Sequence, residues 1–277
     1  MRRWSGTAAL LAVALAFVGA RASAAERDAL DPSSVMAQGR QAIGRTIGDH
    51  VLIDAAGKPL ALRDYRGKPL VISLVYTSCS SVCPATTQHM IDAVTEAGRV
   101  FGPDRFAVLT VGFDARNDTP AHLAQFAATQ GIKLPNWRLA SGSSATIAAL
   151  LDDLGFSFRA AAGGFDHPAQ TTIVDRDGKV YRHVYGDEFP LPMFMEPMKD
   201  VVFGTANSFS FAGIADRIRF ICTAYDPGLR RYRIDYGLVL GGTMGALSLV
   251  VMAGLIAREW LRSARLTGAG KGPRGAS

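Results

Sequence analysis

The run PLVISLVYT, Pro69 to Thr77, is apolar and β-branched along both of its alternating faces, so neither face is built for water. Such a strand is stable only where both faces are covered, which places it in the middle of a sheet flanked by helices. The chain after it agrees. Met90, Ile91, Val94, Ala97, Val100 and Phe101 recur at helical spacing, and Pro84 suits a first helical turn, where its missing N–H costs little. RFAVLTVGF, Arg105 to Phe113, is a second apolar strand. DTPAHLAQFAATQG then predicts a helix, with Asp118 or Thr119 as its cap, Pro120 in its first turn and Gly131 as its stop. Strand, helix and strand in this order pair in parallel through a right-handed crossover.

Around this unit, HVLIDAAGKPLAL reads as a hairpin, and a weaker strand is expected near Trp137 to Leu139. SSATIAALLDDLG reads as a helix and AQTTIVDRDGKVYRHVY as a closing hairpin. The layout predicts an α/β fold, a thioredoxin-like sandwich over residues 46–204. Residues 25–45 are polar and irregular and read as a tether, and residues 205–235 as a membrane-proximal segment.

Both ends of the chain read as topology. Arg2 and Arg3, the apolar TAALLAVALAFVGA and the small residues ASA have the order of an export signal, cleaved after Ala24. Near the other end, YGLVLGGTMGALSLVVMAGLIA, Tyr236 to Ala257, carries no charge and as a helix covers roughly 33 Å, enough for a bilayer core. The tail 258–277 holds Arg258, Arg262, Arg265, Lys271 and Arg274, which keeps it in the cytoplasm. Arg230, Arg231 and Arg233 on the other side weaken that bias, but the export signal sets the same orientation. The expected location is therefore the bacterial inner membrane, single-pass, with the main domain in the periplasm. The formal net charge of +6 belongs to these ends: three charges lie in the signal and a net four in the tail, leaving −1 for residues 25–257. No basic footprint for nucleic acid remains.

Two of the three cysteines, Cys79 and Cys83, stand four apart where the buried strand becomes a helix. Thiolates are soft ligands, and two at this spacing face one ion if the second lies on the first helical turn, an arrangement that suits Cu(I). The positive end of the helix also favours thiolate, so the same pair makes a reversible disulfide in an exported domain. Two unreactive buried thiols are the bland alternative.

At these residues the chain resembles the Sco/SenC proteins, thioredoxin-fold copper chaperones of cytochrome oxidase assembly. The likeness covers roughly Ile43 to Tyr185 and rests on GKPLVISLVYTSCSSVCP, FDARNDTPAHL and FDHPAQTTIVDRDGKVYRHVYG, in that order. It implies copper held by Cys79, Cys83 and His167, with delivery to the binuclear copper site of oxidase subunit II or another cuproprotein, and a donor that loads the protein. No turnover is needed for that role. Pro168, directly after His167, departs from the family's more usual small polar residue. Read without the resemblance, a lone His167 beside Asp166 is more often a loop hydrogen-bonder; as a ligand its nitrogen would add Cu(II) to the Cu(I) the thiolates favour. The redox alternative is a thiol-disulfide oxidoreductase that keeps the cysteines of a partner reduced, although dedicated sites of that kind use two intervening residues and this pair has three. A peroxidase pattern with Pro seven residues before the reactive cysteine meets Tyr76 or Ile72 instead. The binuclear-site pattern finds Met90 in place but Thr87 where histidine belongs.

The remaining candidates are weaker. His89 is expected to point away from the pair, and His50, His122 and His183 to face solvent as non-ligands. Asp114 is expected to be structural. Met193, Met195 and Met198 in MFMEPM are soft sulfurs but read as packing near the membrane. Cys222, on an apolar helical face with Ile218 and Ile221, reads as a buried or interfacial thiol.

Overall fold

In the computed structural model the described residues are 30–79, 82–161, 164–204, 223–226, 231–234 and 236–268. They fall into two units, divided between Ser208 and Phe209. The expected export signal and its cleavage point, and Cys222, lie outside the described residues.

The first unit is built on a seven-stranded sheet. Its strands are β1 (Val51–Asp54), β2 (Pro59–Ala61), β3 (Leu70–Val75), β4 (Ala107–Gly112), β5 (Trp137–Ser141), β8 (Gln170–Val174) and β9 (Val180–Tyr185). The order across the sheet is β2-β1-β5-β4-β3-β8-β9. β3 pairs in parallel with β4 and antiparallel with β8, so the apolar run that led the sequence reading is an interior strand. Val71, Ile72, Val108, Leu109 and Ile173 are fully buried.

Helix α2 (Val82–Phe101) crosses from β3 to β4, and α3 (Pro120–Gln130) crosses from β4 to β5. α2 buries Cys83, Thr87, Met90, Ala93, Val94, Ala97 and Phe101, while Ile91 and Val100 of the expected stripe are only half-buried at its edge. α3 is capped by Thr119, whose hydroxyl accepts from His122 N–H, and is closed by Gly131 in the left-handed region at φ 69. α4 (Ser144–Asp153) follows β5, and α5 (Leu191–Phe203) follows β9.

Three features depart from the sequence reading. The stretch expected to be an irregular tether contains α1 (Pro32–Ala42), capped by Asp31 and burying Val35, Gly39 and Ala42. Gly39 is there because a Cβ would stand 2.0 Å from the Tyr185 hydroxyl oxygen. Next, a two-stranded hairpin, β6 (Arg159–Ala161) with β7 (Gly164–Asp166), precedes β8. Finally, His183 and His50 do not face solvent. His183 is buried, donates from Nε2 to Gly39 O at 3.1 Å and sits 2.9 Å from Thr172 Oγ1, while His50 is half-buried 2.7 Å from an Asp153 carboxylate oxygen.

The second unit contains the hairpin β10 (Thr223–Asp226) and β11 (Arg231–Ile234), then α6 (Tyr236–Gly268). Within α6, Leu240–Trp260 is exposed, and among the described residues it is the one helix segment long and apolar enough to cross a membrane.

Candidate metal centre

The centre begins where β3 ends. Val75 O accepts Phe113 N–H at 2.9 Å, the last tie between β3 and the end of β4, and the chain then turns, with Cys79 N–H donating to Tyr76 O at 3.1 Å. This turn is pinned from the side by Asp118. One carboxylate oxygen accepts from both the backbone N–H and the hydroxyl of Thr77, each at 2.7 Å, and the other accepts from Asp114 N–H at 2.8 Å. Asp118 is only 2% exposed, and burial, outweighing those hydrogen bonds, raises its pKa. Gly112 makes room for it, since a Cβ there would meet Asp118 Cβ at 2.5 Å. Thr119 is thus the helix cap, and Asp118 is freed to hold the cysteine turn. Asp114 is buried and accepts from Asn117 Nδ2 at 2.7 Å, in keeping with a structural role.

Cys79 is half-buried in the turn, and Cys83 is buried in the first turn of α2; both are thiols. Cys83 N–H donates to Cys79 Sγ at 3.3 Å, so the helix terminus presents its positive end to the first sulfur. Burial first, and then the adjacent Cys79 thiol, push the Cys83 thiol up to about 12. A soft metal reverses that preference by binding the thiolate directly. Tyr76 is buried beside the pair. Burial first, then its hydrogen bond to the Cys79 thiol, push its hydroxyl up to about 12.

His167 follows β7 on the loop into β8. It lines a small cavity of about 20 Å³ together with Cys83, Thr86, Thr87, Met90 and Gln170, so His167 and the second cysteine border one space. The ring is bracketed by Phe113, Tyr76 and Phe156, at centroid distances of 5.3, 5.7 and 5.8 Å, and Nδ1 lies 3.0 Å from Pro168 O. Gly164, at φ 154, lets the hairpin close on this group, because a Cβ there would stand 2.7 Å from the Tyr76 hydroxyl. Among the described residues no three His, Cys, Asp or Glu side chains are gathered closely enough to hold a metal ion. The two sulfurs are together, and His167 stands by as a neighbour.

The other candidates are placed elsewhere. His89 lies 2.8 Å through Nε2 from Phe189 O and packs edge-on against that ring, away from the pair. Met195 and Met198 are fully buried in α5, whereas Met193 is half exposed. His122 is exposed, yet it lines the same cleft as Cys79. Of the aromatic bracket, only Phe156 has a signal in the sequence, as part of the density of phenylalanines just ahead of His167, whose Phe158 and Phe165 pack behind it on Phe113.

Comparison with known proteins places the fold and the family. The SCO1/SenC family model matches residues 38–199. A SCO1 protein homolog of Bacillus subtilis is 28% identical over 141 residues, covering 48% of this chain and 69% of that one. BsSco, solved in work identifying a disulfide switch and described as a member of the Sco family of cytochrome c oxidase assembly proteins, is 22% identical, with TM-score 0.51 over 57% of this chain and 94% of that one. Yeast Sco1, solved with copper bound, is 16% identical, with TM-score 0.50 over 59% of this chain and 92% of that one. The fold is thus shared with solved Sco proteins, and because the matched residues make up more than half of its length, the chain belongs to the SCO1/SenC family.

Proposed function

We propose that the protein is a membrane-anchored copper chaperone, holding copper on Cys79 and Cys83 with His167 as third ligand and passing it to the binuclear copper site of cytochrome c oxidase subunit II. The observation that carries this reading is the adjacency of the two thiols at a pinned strand-to-helix turn, with an imidazole lining the same cavity as the second. Two soft sulfurs and a nitrogen fit copper, and the copper-bound structure of a Sco relative supports the choice of cargo. Closing the set takes a reorientation of His167 out of its aromatic bracket. Transfer then proceeds by ligand exchange, incoming thiolates displacing Cys79 and Cys83 one at a time. The uncharged stretch of α6 serves as the anchor, the export signal and basic tail orient the domain to the periplasm, and the domain spans residues 46–204.

Contact between the two thiols also favours a second reading, in which they cycle through a disulfide and keep the cysteines of a partner reduced, as the disulfide switch of BsSco suggests. Deleting the gene under copper limitation separates the two. Lowered oxidase activity that added copper partly restores is the outcome for a copper donor; normal oxidase in the deletion strain rejects that role and leaves thiol maintenance.

A further inference from the structure

The copper centre as read above has a problem of access. Cys83 is 3% exposed, and the cavity it shares with His167 has room for about one water molecule. That cavity has no room for an incoming ligand side chain. Cys79 opens the other way, into a cleft of about 480 Å³ formed with Thr77, Asn117, His122 and Phe126.

We infer that His122 forms with Cys79 a second, transient copper position on this open side, through which the ion enters and leaves the buried dithiol. The inference rests on the copper reading and adds a residue to it. His122 is exposed on the first turn of α3, and its Nδ1 donates to Asn117 O at 2.6 Å. That hydrogen bond places the proton on Nδ1 and leaves the Nε2 lone pair available, the tautomer a metal-binding imidazole needs. The acceptor is itself held: Asn117 N–H donates to Asp114 O at 2.9 Å and its side-chain amide donates to the Asp114 carboxylate. Asp118 of the same loop fixes Thr77, two residues before Cys79. Imidazole and thiol therefore stand on two loops that Asp118 ties together. Of the other three histidines outside the proposed triad, His89 is engaged by Phe189 O and His50 by Asp153, and His183 is buried.

In the step this allows, the bonds from Cu(I) to His167 and to Cys83 Sγ break as a bond to His122 Nε2 forms, Cys79 Sγ staying bound throughout and the His167 imidazole returning neutral to its aromatic bracket. Copper stays Cu(I), no electron moves, and the released Cys83 thiolate takes a proton from water. Cu(I) tolerates such a low-coordinate sulfur and nitrogen pair because thiolate is its preferred soft ligand.

The test uses the full chain and Cu(I) competed against a chelator. In a His167→Ala background, adding His122→Gln is expected to weaken binding at least about tenfold, the least that loss of a supporting group costs a metal site. X-ray absorption is expected to lose its nitrogen signal in the same variant. In the otherwise native protein, His122→Gln slows release to the chelator more than it changes equilibrium affinity. Glutamine retains a donor for Asn117 O, and an unchanged denaturation midpoint shows that the fold is intact. Wild type binding copper while His122→Gln changes neither affinity nor release overturns this inference alone; a wild type that retains no copper removes it together with the chaperone reading.

Discussion

The two halves of the centre are held in different ways. The cysteine half is fixed by directional bonds: three donors converge on the Asp118 carboxylate, and the Cys83 N–H in the first turn of α2 donates to Cys79 Sγ. The histidine half hangs on three-residue strands and is kept in place by ring contacts to Tyr76, Phe113 and Phe156. Ring contacts are worth about 0.5–1.5 kcal/mol each and tolerate rotation, whereas a buried carboxylate loses hydrogen bonds as soon as its donors move. A pinned pair of sulfurs beside an imidazole held by ring contacts is the division of labour that the proposed binding and release of copper would use.

The largest effect expected from this contrast is in copper affinity. Cys83→Ser removes a ligand from the fixed half and is expected to cost more than the ~100-fold that loss of an outer-shell partner can cost, while His167→Ala falls within about 10–100-fold. Equal losses in a Cu(I) competition assay would show that the halves are not distinct. Stability gives the next contrast. Asp118→Ala strands the donors at Thr77 and Asp114 and is expected to cost about 3 kcal/mol in denaturant unfolding. Asp166→Ala, beside His167, gives up a half-exposed contact to Arg159 at 3.4 Å and a bond from Leu30 N–H, and is expected to cost less than about 1 kcal/mol.

The smallest effect concerns pH and the far edge of the same sheet. Burial lowers the pKa of His183 below 6.5, so the unfolded chain takes up a proton before the folded one does. Its contribution is present in full above 6.5 and is lost as pH falls through 6.5 toward the folded value. Urea midpoints measured from about pH 8 down to about pH 5.5 are expected to fall, and to fall less in His183→Gln. An unchanged slope in the variant would assign the acid sensitivity to another group.

The parts that were legible in the sequence share a physical cause. β3, β4 and α2 carry long apolar patterns, and the position of Cys79 and Cys83 between them follows from where one period gives way to the other. α1 was hidden because it docks through Val35, Gly39 and Ala42, small residues that leave its overall composition polar. The β6–β7 hairpin is too short to display alternation, so the element that carries His167 into the centre had no pattern to read. His183 is buried, against expectation, because α1, itself without a clear sequence pattern, covers that face of β9 and accepts its Nε2–H through Gly39 O, while Val184 is buried as well. Asp118 looked fully explained as a cap, and only the fold reveals that Thr119 takes that task while Asp118 reaches across to Thr77.

The central claim is that three side chains from two differently held segments meet on one ion. X-ray absorption of the Cu(I)-loaded protein tests it most directly: two sulfur scatterers and one nitrogen are predicted, with the nitrogen diminished in His167→Ala and a sulfur lost in Cys79→Ser. Copper retained with neither sulfur from this pair, or no retention of Cu(I) by the reduced protein, contradicts the account.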